Sequence, residues 1–165
     1  MSNKLRIIFL LLVISFLLAF PLISMAQSPE FFGLPVQLTL PGSSKYAFKR
    51  LKEKVTEFFK FSHPAKFSYR QILLEKRVSE FVNLVENKNQ LDLANSSQRL
   101  AYQAGILADS VIKDSKENKE LVLTLFAKYK PILDKMRDHF PANSAFWLLS
   151  QQDIDTLNIL EAKLK

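Results

Sequence analysis

The stretch from Leu40 to Val55 reads LPGSSKYAFKRLKEKV and marks the point where the folded body of this chain begins. Pro41 and Gly42 interrupt any preceding structure, and Ser43 or Ser44 is suited to accept a hydrogen bond from the first free amides of a helix. After that cap, apolar side chains recur at 3-4-3 spacing, which places them on one helix face. They are Phe48, Leu51, Val55 and Phe58.

This first helix is expected to run from about residue 44 to 61, with its apolar stripe facing the core. Tyr46 falls roughly 160° around the helix from Phe48, because successive residues are about 100° apart. The side opposite the stripe therefore carries Tyr46, Arg50, Glu53 and Glu57. Two interpretations stay open: a solvated face on which Tyr46 covers the helix start, or a second contact surface for another helix or a partner.

The same stretch resembles the opening signature of an uncharacterised bacterial family, domain of unknown function 5667. The resemblance rests on Leu-Pro-Gly-Ser at 40–43, on Tyr46 and on KRLKEKV at 49–55. A second match, EKRVSE at 75–80, is similar to the Glu-x-Arg-x-x-Glu run on that family's next helix. The resemblance covers about residues 38–112 and leaves out the tail beyond about residue 114. It implies an exported, helical bacterial domain and brings no activity, cofactor or catalytic residue with it.

Helical periodicity continues to the end of the chain. A second helix is predicted over about 64–87, a third over 90–114, a fourth up to about 140, and a fifth over 144–163. Pro131 lies inside the fourth and should kink or split it near Lys130. Short connections favour antiparallel neighbours, so residues 44–165 are predicted to form one all-α domain, an antiparallel bundle of four or five helices. Three glycines in 165 residues argue against a β-sandwich or barrel.

The N-terminus has the pattern of an export signal. Residues 1–6 carry a positive charge, residues 7–20 are almost unbroken apolar sequence, and Ser24-Met25-Ala26 fits the small-residue rule for signal peptidase. Residues 1–26 are therefore predicted to be a signal peptide cut after Ala26. The alternative is an uncleaved membrane anchor over 7–23, at the short end of what spans a bilayer. Either interpretation places the rest of the chain outside the cytoplasm, in the secreted space, the periplasm or the cell envelope.

Residues 27–43 contain three prolines and two glycines and show no helical period, so they are predicted to form an extended leader that packs partly on the bundle. The chain has no cysteine, which excludes disulfides, thiolate metal sites, a cysteine nucleophile and a bacterial lipoprotein, whose lipid is attached to a cysteine.

No pattern of catalytic or cofactor-binding residues emerges. His63 and His139 stand apart from other ligand types and are expected to cap helices or lie on the surface. Asp153 and Asp155 are two positions apart, which puts them on different helix faces. There is no P-loop and no G-x-S-x-G sequence. We therefore expect no catalytic residue, no cofactor, no metal and no enzymatic activity.

The positive charge is concentrated in the first helical hairpin, where residues 45–77 hold ten Lys or Arg and three Glu. Lysines of this kind either keep an exported helix soluble or meet an anionic surface. The leading hypothesis is a non-enzymatic envelope or secreted module that binds a protein partner or itself; the alternative is a binder of anionic membrane or wall polymer. Nucleic acid is not expected as a partner. The candidate interaction surface consists of Tyr46, Lys49, Arg50, Lys52, Glu53, Lys54, Arg70, Lys76 and Arg77.

Overall fold

A computed structural model of the protein describes residues 28–165. This part of the chain is all-helical, which confirms the predicted all-α class. The helices are α1 (Tyr46–Phe58), α2 (His63–Glu86), α3 (Leu93–Asp109), α4 (Lys116–Arg137) and α5 (Ala145–Leu164), preceded by a 3₁₀ turn at Pro29–Phe32. Within residues 28–165, none of the helices combines the length and the hydropathy needed to cross a bilayer. The predicted signal peptide, its cleavage after Ala26 and the alternative anchor lie outside the described residues.

Serine side chains start three of the helices. The hydroxyl of Ser62 accepts from the amide of Ala65 at the start of α2, and Ser115 and Ser144 cap α4 and α5 in the same way. α1 differs from the prediction, because no side chain caps it. Its first amide, that of Tyr46, instead donates to the backbone carbonyl of Ser43 at 2.9 Å.

Helices α2 to α5 form a four-helix bundle. α2 packs mainly against α3 and α4, and α5 packs against the same two helices. α2 and α4 run in the same direction, because His63 at the start of α2 lies beside Asp114, just before α4, while Glu86 at its end lies beside His139, just after α4. The chain thus builds two antiparallel hairpins, α2–α3 and α4–α5, and the connection at 110–115 crosses the bundle diagonally.

The bundle interior contains most of the apolar positions that the helical period predicts. The fully buried residues include Leu74, Val78, Phe81, Leu100, Leu107, Val122, Tyr129, Met136 and Leu157. Phe126 is also buried. α4 is not split at Pro131: the helix runs unbroken to Arg137, and both Pro131 and Ala127 lie on its exposed side. There, water can satisfy the carbonyl that the missing proline N–H leaves free.

The leader is docked on the bundle. Leu34 is buried in the core, and the hydroxyl of Ser79 on α2 donates to the carbonyl of Pro35 at 2.6 Å. The ammonium of Lys135 on α4 lies over the rings of Phe31 and Phe32, 5.1 and 5.2 Å from their centroids. These contacts span α2 and α4, so the leader is a structural part of the domain.

The Leu-Pro-Gly-Ser sequence forms the turn that leads into α1. The amide of Ser43 donates to the carbonyl of Leu40 at 3.2 Å, which places Pro41 and Gly42 at the two central positions. Gly42 has φ 87°, the conformation that a type II turn requires at its second central residue. A side chain at this position would overlap the carboxylate of Asp92, so the turn also sits tightly against the start of α3.

Gly42→Ala is expected to lower the free energy of unfolding by about 1–2 kcal/mol, because alanine is strained at positive φ and must displace Asp92. Urea unfolding followed by circular dichroism measures the change. Gly105→Ala is the matched control: Gly105 lies in α3 with open space around its Cα, so the same substitution should be neutral or stabilising. Equal stability of Gly42→Ala and the wild-type protein would contradict the assignment of this turn.

Candidate interaction site on the first helix

α1 packs on the bundle through its polar side, which is the reverse of the predicted orientation. Tyr46 and Glu53 are buried, whereas Phe48 and Phe58 keep 72% and 73% of their surface exposed. Leu51 and Val55 complete the exposed stripe. The prediction that this stripe faces the core was therefore wrong. Of the two interpretations of the opposite side, the one with a contact surface for another helix describes the structure.

The buried side of α1 meets a guanidinium that projects from α2. Arg77 is surrounded by carboxylates: one nitrogen donates to both oxygens of Glu80, at 2.7 and 2.8 Å, and the other pairs with Glu53. The first nitrogen also lies 3.3 Å from the hydroxyl of Tyr46. Arg77 thus joins the two helices through charge-assisted hydrogen bonds in a largely buried site.

Glu80 is the most deeply buried member of this network, with none of its surface exposed. Besides Arg77, it accepts from the hydroxyl of Tyr46 at 2.7 Å and from the ammonium of Lys49 at 2.6 Å. Lys49 also donates to the side-chain oxygen of Gln37 and to the carbonyl of Thr39 in the leader. The network therefore fastens the leader, α1 and α2 to one another.

Burial and charge have opposite effects on the titration of these groups. Burial raises the pKa of Tyr46, and the neighbouring Glu80 carboxylate raises it further. Burial by itself would lower the pKa of Arg77, but the carboxylates of Glu80 and Glu53, together with the Tyr46 phenol, outweigh that effect and raise it. The tyrosine is therefore neutral and the arginine charged at every physiological pH.

The nine residues of the predicted interaction surface separate into two groups. Tyr46, Lys49, Glu53, Arg70, Lys76 and Arg77 lie at the contact between α1 and α2, where Arg70 pairs with Glu57 at 2.7 Å and Lys76 lies 3.8 Å from Glu53. These six are held by partners inside the domain. Arg50, Lys52 and Lys54 make no ion pair within residues 28–165, and Lys52 and Lys54 are exposed.

The outward surface of α1 is apolar and cationic. Phe59 and Phe61 extend the stripe beyond the helix end and are both exposed, and each of the neighbouring phenylalanine pairs 58–59 and 59–61 packs edge to face. Lys45 and Lys52 flank the stripe on one side and Lys54 on the other, all three exposed. The only carboxylates on α1, Glu53 and Glu57, are turned towards the bundle, so the outward surface carries no negative charge.

The residues of α2 explain why α1 adopts this orientation. Arg77 and Glu80 lie on the face of α2 that α1 covers, and burying an unpaired charge costs several kcal/mol. An apolar face of α1 placed there would leave Arg77 and Glu80 with only each other, because Glu53 would no longer accept from Arg77, and Tyr46 and Lys49 would no longer donate to Glu80. The polar face supplies these partners, and the apolar stripe is left outside.

Residues 28–165 contain no group of three or more His, Asp or Glu side chains arranged around a common point. Asp153 and Asp155 lie on different faces of α5, the first buried and the second exposed. His63 and His139 are both exposed and lie beside single carboxylates.

The sequence did not separate the residues that lie between α1 and α2 from those on the outward side of α1. The residues that carry the resemblance to domain of unknown function 5667, among them Tyr46, Lys49, Glu53, Arg77 and Glu80, are the ones that the structure gathers into the network. Comparisons with protein-family models, curated proteins and solved structures find no match to this chain. Membership of that family therefore stays a prediction.

Proposed function

We propose that this chain is an exported, non-enzymatic module that docks on anionic membrane surfaces through the outward side of α1. The observation that carries the proposal is the sorting of side chains around this helix. Its bulky apolar residues and unpaired lysines face away from the domain, and both of its carboxylates are neutralised inside. The predicted export signal supplies the compartment in which such a surface would meet a membrane.

The apolar side chains on the outward side of α1 expose enough surface to contribute to membrane binding. Phe48, Leu51, Val55 and Phe58 leave between 46% and 73% of their surfaces in water, although a soluble domain gains about 1.5–3 kcal/mol by burying each such side chain. Contiguous exposed apolar surface of this kind marks an interaction site. An amphipathic helix with Phe and Leu on one side lies naturally at the boundary between lipid headgroups and acyl chains.

The charges favour lipid over the other candidate partners. Lys45, Lys52 and Lys54 border the apolar stripe, and a lysine near an anionic lipid surface contributes about 1 kcal/mol to binding. A wall polymer would engage the lysines and leave the apolar stripe in water. A protein partner, or a second copy of this chain, would cover the stripe but needs acidic groups of its own opposite all three lysines.

Replacing Phe48 and Phe58 together with serine is expected to weaken binding to vesicles of phosphatidylglycerol and phosphatidylcholine by about 100-fold, because two buried phenylalanines are lost from the lipid contact. Co-sedimentation measures the affinity. The wild-type protein should lose binding as salt rises from about 50 to 300 mM, and it should not bind phosphatidylcholine alone.

The matched control is Leu121→Ser with Ile159→Ser, which removes two exposed apolar side chains from α4 and α5 and should leave vesicle binding unchanged. Neither pair belongs to the core, so thermal unfolding should stay close to wild type for both. If the wild-type protein does not bind anionic vesicles at low salt, the membrane proposal is wrong. A concentration-dependent mass that only the Phe48/Phe58 variant loses would then assign the stripe to contact between copies.

A further inference from the structure

We propose that Val36 and Leu38 of the leader form a second membrane contact, and that both side chains enter the lipid beside α1. This inference rests on the proposed function and adds to it the segment that borders α1. Leu38 keeps 96% of its surface exposed and Val36 keeps 46%, whereas Gln37 between them is buried. The two apolar side chains therefore face away from the domain, while the polar one faces it.

A lysine of α1 holds the leader against the side of that helix. The ammonium of Lys49 donates to the side-chain oxygen of Gln37 at 2.8 Å and to the carbonyl of Thr39 at 3.0 Å. These two acceptors lie immediately before and after Leu38 in the chain. Leu38 is therefore held next to the side of α1 from which Lys49 projects.

Two exposed lysines lie on that same side of α1, next to the apolar stripe. Lys45 and Lys52 are four positions before and three positions after Lys49, so the three side chains share one side of the helix. Both carboxylates of α1 are turned towards the bundle. The surface that the leader shares with α1 thus combines apolar side chains with positive charge, and this combination fits a layer of anionic lipid.

The place of the leader in the sequence favours lipid over a protein as the partner that covers it. Only residues 24–27 separate the apolar run at 7–23 from the first described residue of the leader. While the predicted export signal is attached, this short connection would keep the leader close to the bilayer. A second copy of the chain, paired through the same face, would bring its own lysines towards Lys45 and Lys52, and the like charges would repel.

A fluorescent probe at position 38 tests the contact directly. The chain has no cysteine, so Leu38→Cys provides a single attachment point for the environment-sensitive dye NBD. We expect the emission to shift to the blue on vesicles of phosphatidylglycerol and phosphatidylcholine, and to be quenched by lipids with a spin label in their acyl chains. The same dye at Phe48→Cys reports on α1. At Ile159→Cys it reports on α5, which lies diagonally across the bundle from α2, and there it should stay in water.

Removal of the two apolar side chains gives an independent measurement. Val36→Ser together with Leu38→Ser should weaken co-sedimentation with the same vesicles by about tenfold, because both side chains are lost from the lipid contact. Ile159→Ser removes an exposed apolar side chain from α5 and should bind as the wild type does. None of the three side chains belongs to the core, so thermal unfolding should stay close to wild type in both variants.

The outcomes distinguish this inference from the proposed function. If the dye responds to vesicles at position 48 but not at position 38, the leader contact is wrong and docking through α1 stands. If the wild-type protein does not bind anionic vesicles and the dye responds at neither position, both proposals are wrong. A blue shift at position 38 that depends on protein concentration without vesicles would overturn the inference and assign the leader to contact between copies.

Discussion

Replacement of Arg77 by methionine is expected to lower the free energy of unfolding by about 3–5 kcal/mol. The side chain is 7% exposed and pairs with Glu53 and Glu80, so its removal leaves two buried carboxylates without their main partner. The domain can relieve this cost by releasing α1, which lets water reach both groups. The loss is therefore limited by the free energy that holds α1 on the bundle. Urea unfolding measures the total, and amide hydrogen exchange should show protection falling in α1 before it falls in α2–α5.

Arg70→Met is the matched control for this prediction. Arg70 lies on the same helix and pairs with Glu57, but both side chains are about one fifth exposed, so that pair is worth about 1 kcal/mol or less. Equal losses of stability in the two variants would show that the network at Arg77 contributes no more than an ordinary surface pair.

Asparagine in place of Asp153 is expected to remove a pH dependence from the stability of the bundle. Asp153 is 1% exposed; its Oδ1 accepts from the hydroxyl of Ser97 on α3 at 2.9 Å, and its Oδ2 is buried without a hydrogen-bond partner within residues 28–165. Burial raises the pKa of Asp153 from 3.8 to about 7, although the Ser97 hydrogen bond opposes the shift. The carboxyl group is thus held in its neutral form in the folded protein over a range in which the unfolded chain ionises it.

The sign of the effect follows from proton binding. Between pH 3.8 and 7 the native state binds more protons at this site than the unfolded state, so stability is lost as pH rises through that range and is constant above it. The loss amounts to roughly 2–4 kcal/mol. At pH 8 the Asp153→Asn protein should therefore be more stable than the wild type by about that amount, and at pH 4 the two should nearly agree.

Urea unfolding at several pH values gives the free energy of unfolding of each protein. The difference between variant and wild type, plotted against pH, separates the contribution of Asp153 from those of the other titrating groups. Asp155→Asn changes the same residue type on the exposed side of α5, and its difference in free energy of unfolding from the wild type should not change with pH. A flat difference for Asp153→Asn as well would mean that the buried carboxyl titrates normally.

The sequence was sufficient to predict the helices and most of the core, because each of α2 to α5 buries a stripe with the period of an α-helix. The same reasoning failed for α1, whose stripe has the correct period but the opposite orientation. Periodicity shows which residues share a face and does not show which face another helix covers. That choice depended on Arg77 and Glu80, a pair of charges at covered positions on α2, to which the polar face of α1 adds hydrogen bonds that an apolar face cannot make.

The candidate site was only partly visible for a related reason. Lys52 and Lys54 were predicted as surface residues and are exposed, while Tyr46, Glu53 and Arg77 were grouped with them and are buried. All five are polar residues within 45–77, so composition alone does not distinguish the buried ones from the exposed ones. A search for polar residues that recur at helical spacing on both helices, at 46, 49 and 53 and at 77 and 80, would have indicated their pairing.

The docked leader would limit the distance between this domain and a bilayer if residues 7–23 were kept as a membrane anchor. Leu34 and the turn before it are seated on the bundle, so only residues 24–27 lie between the apolar run at 7–23 and the first described residue. Four residues reach about 14 Å at most. If that run is kept as an anchor, the connecting segment at 24–27 is shorter than the helices of the bundle. The domain would then have to lie against the lipid surface. If the chain is cut after Ala26, this tether is lost, and only the outward side of α1 would hold the domain at the membrane.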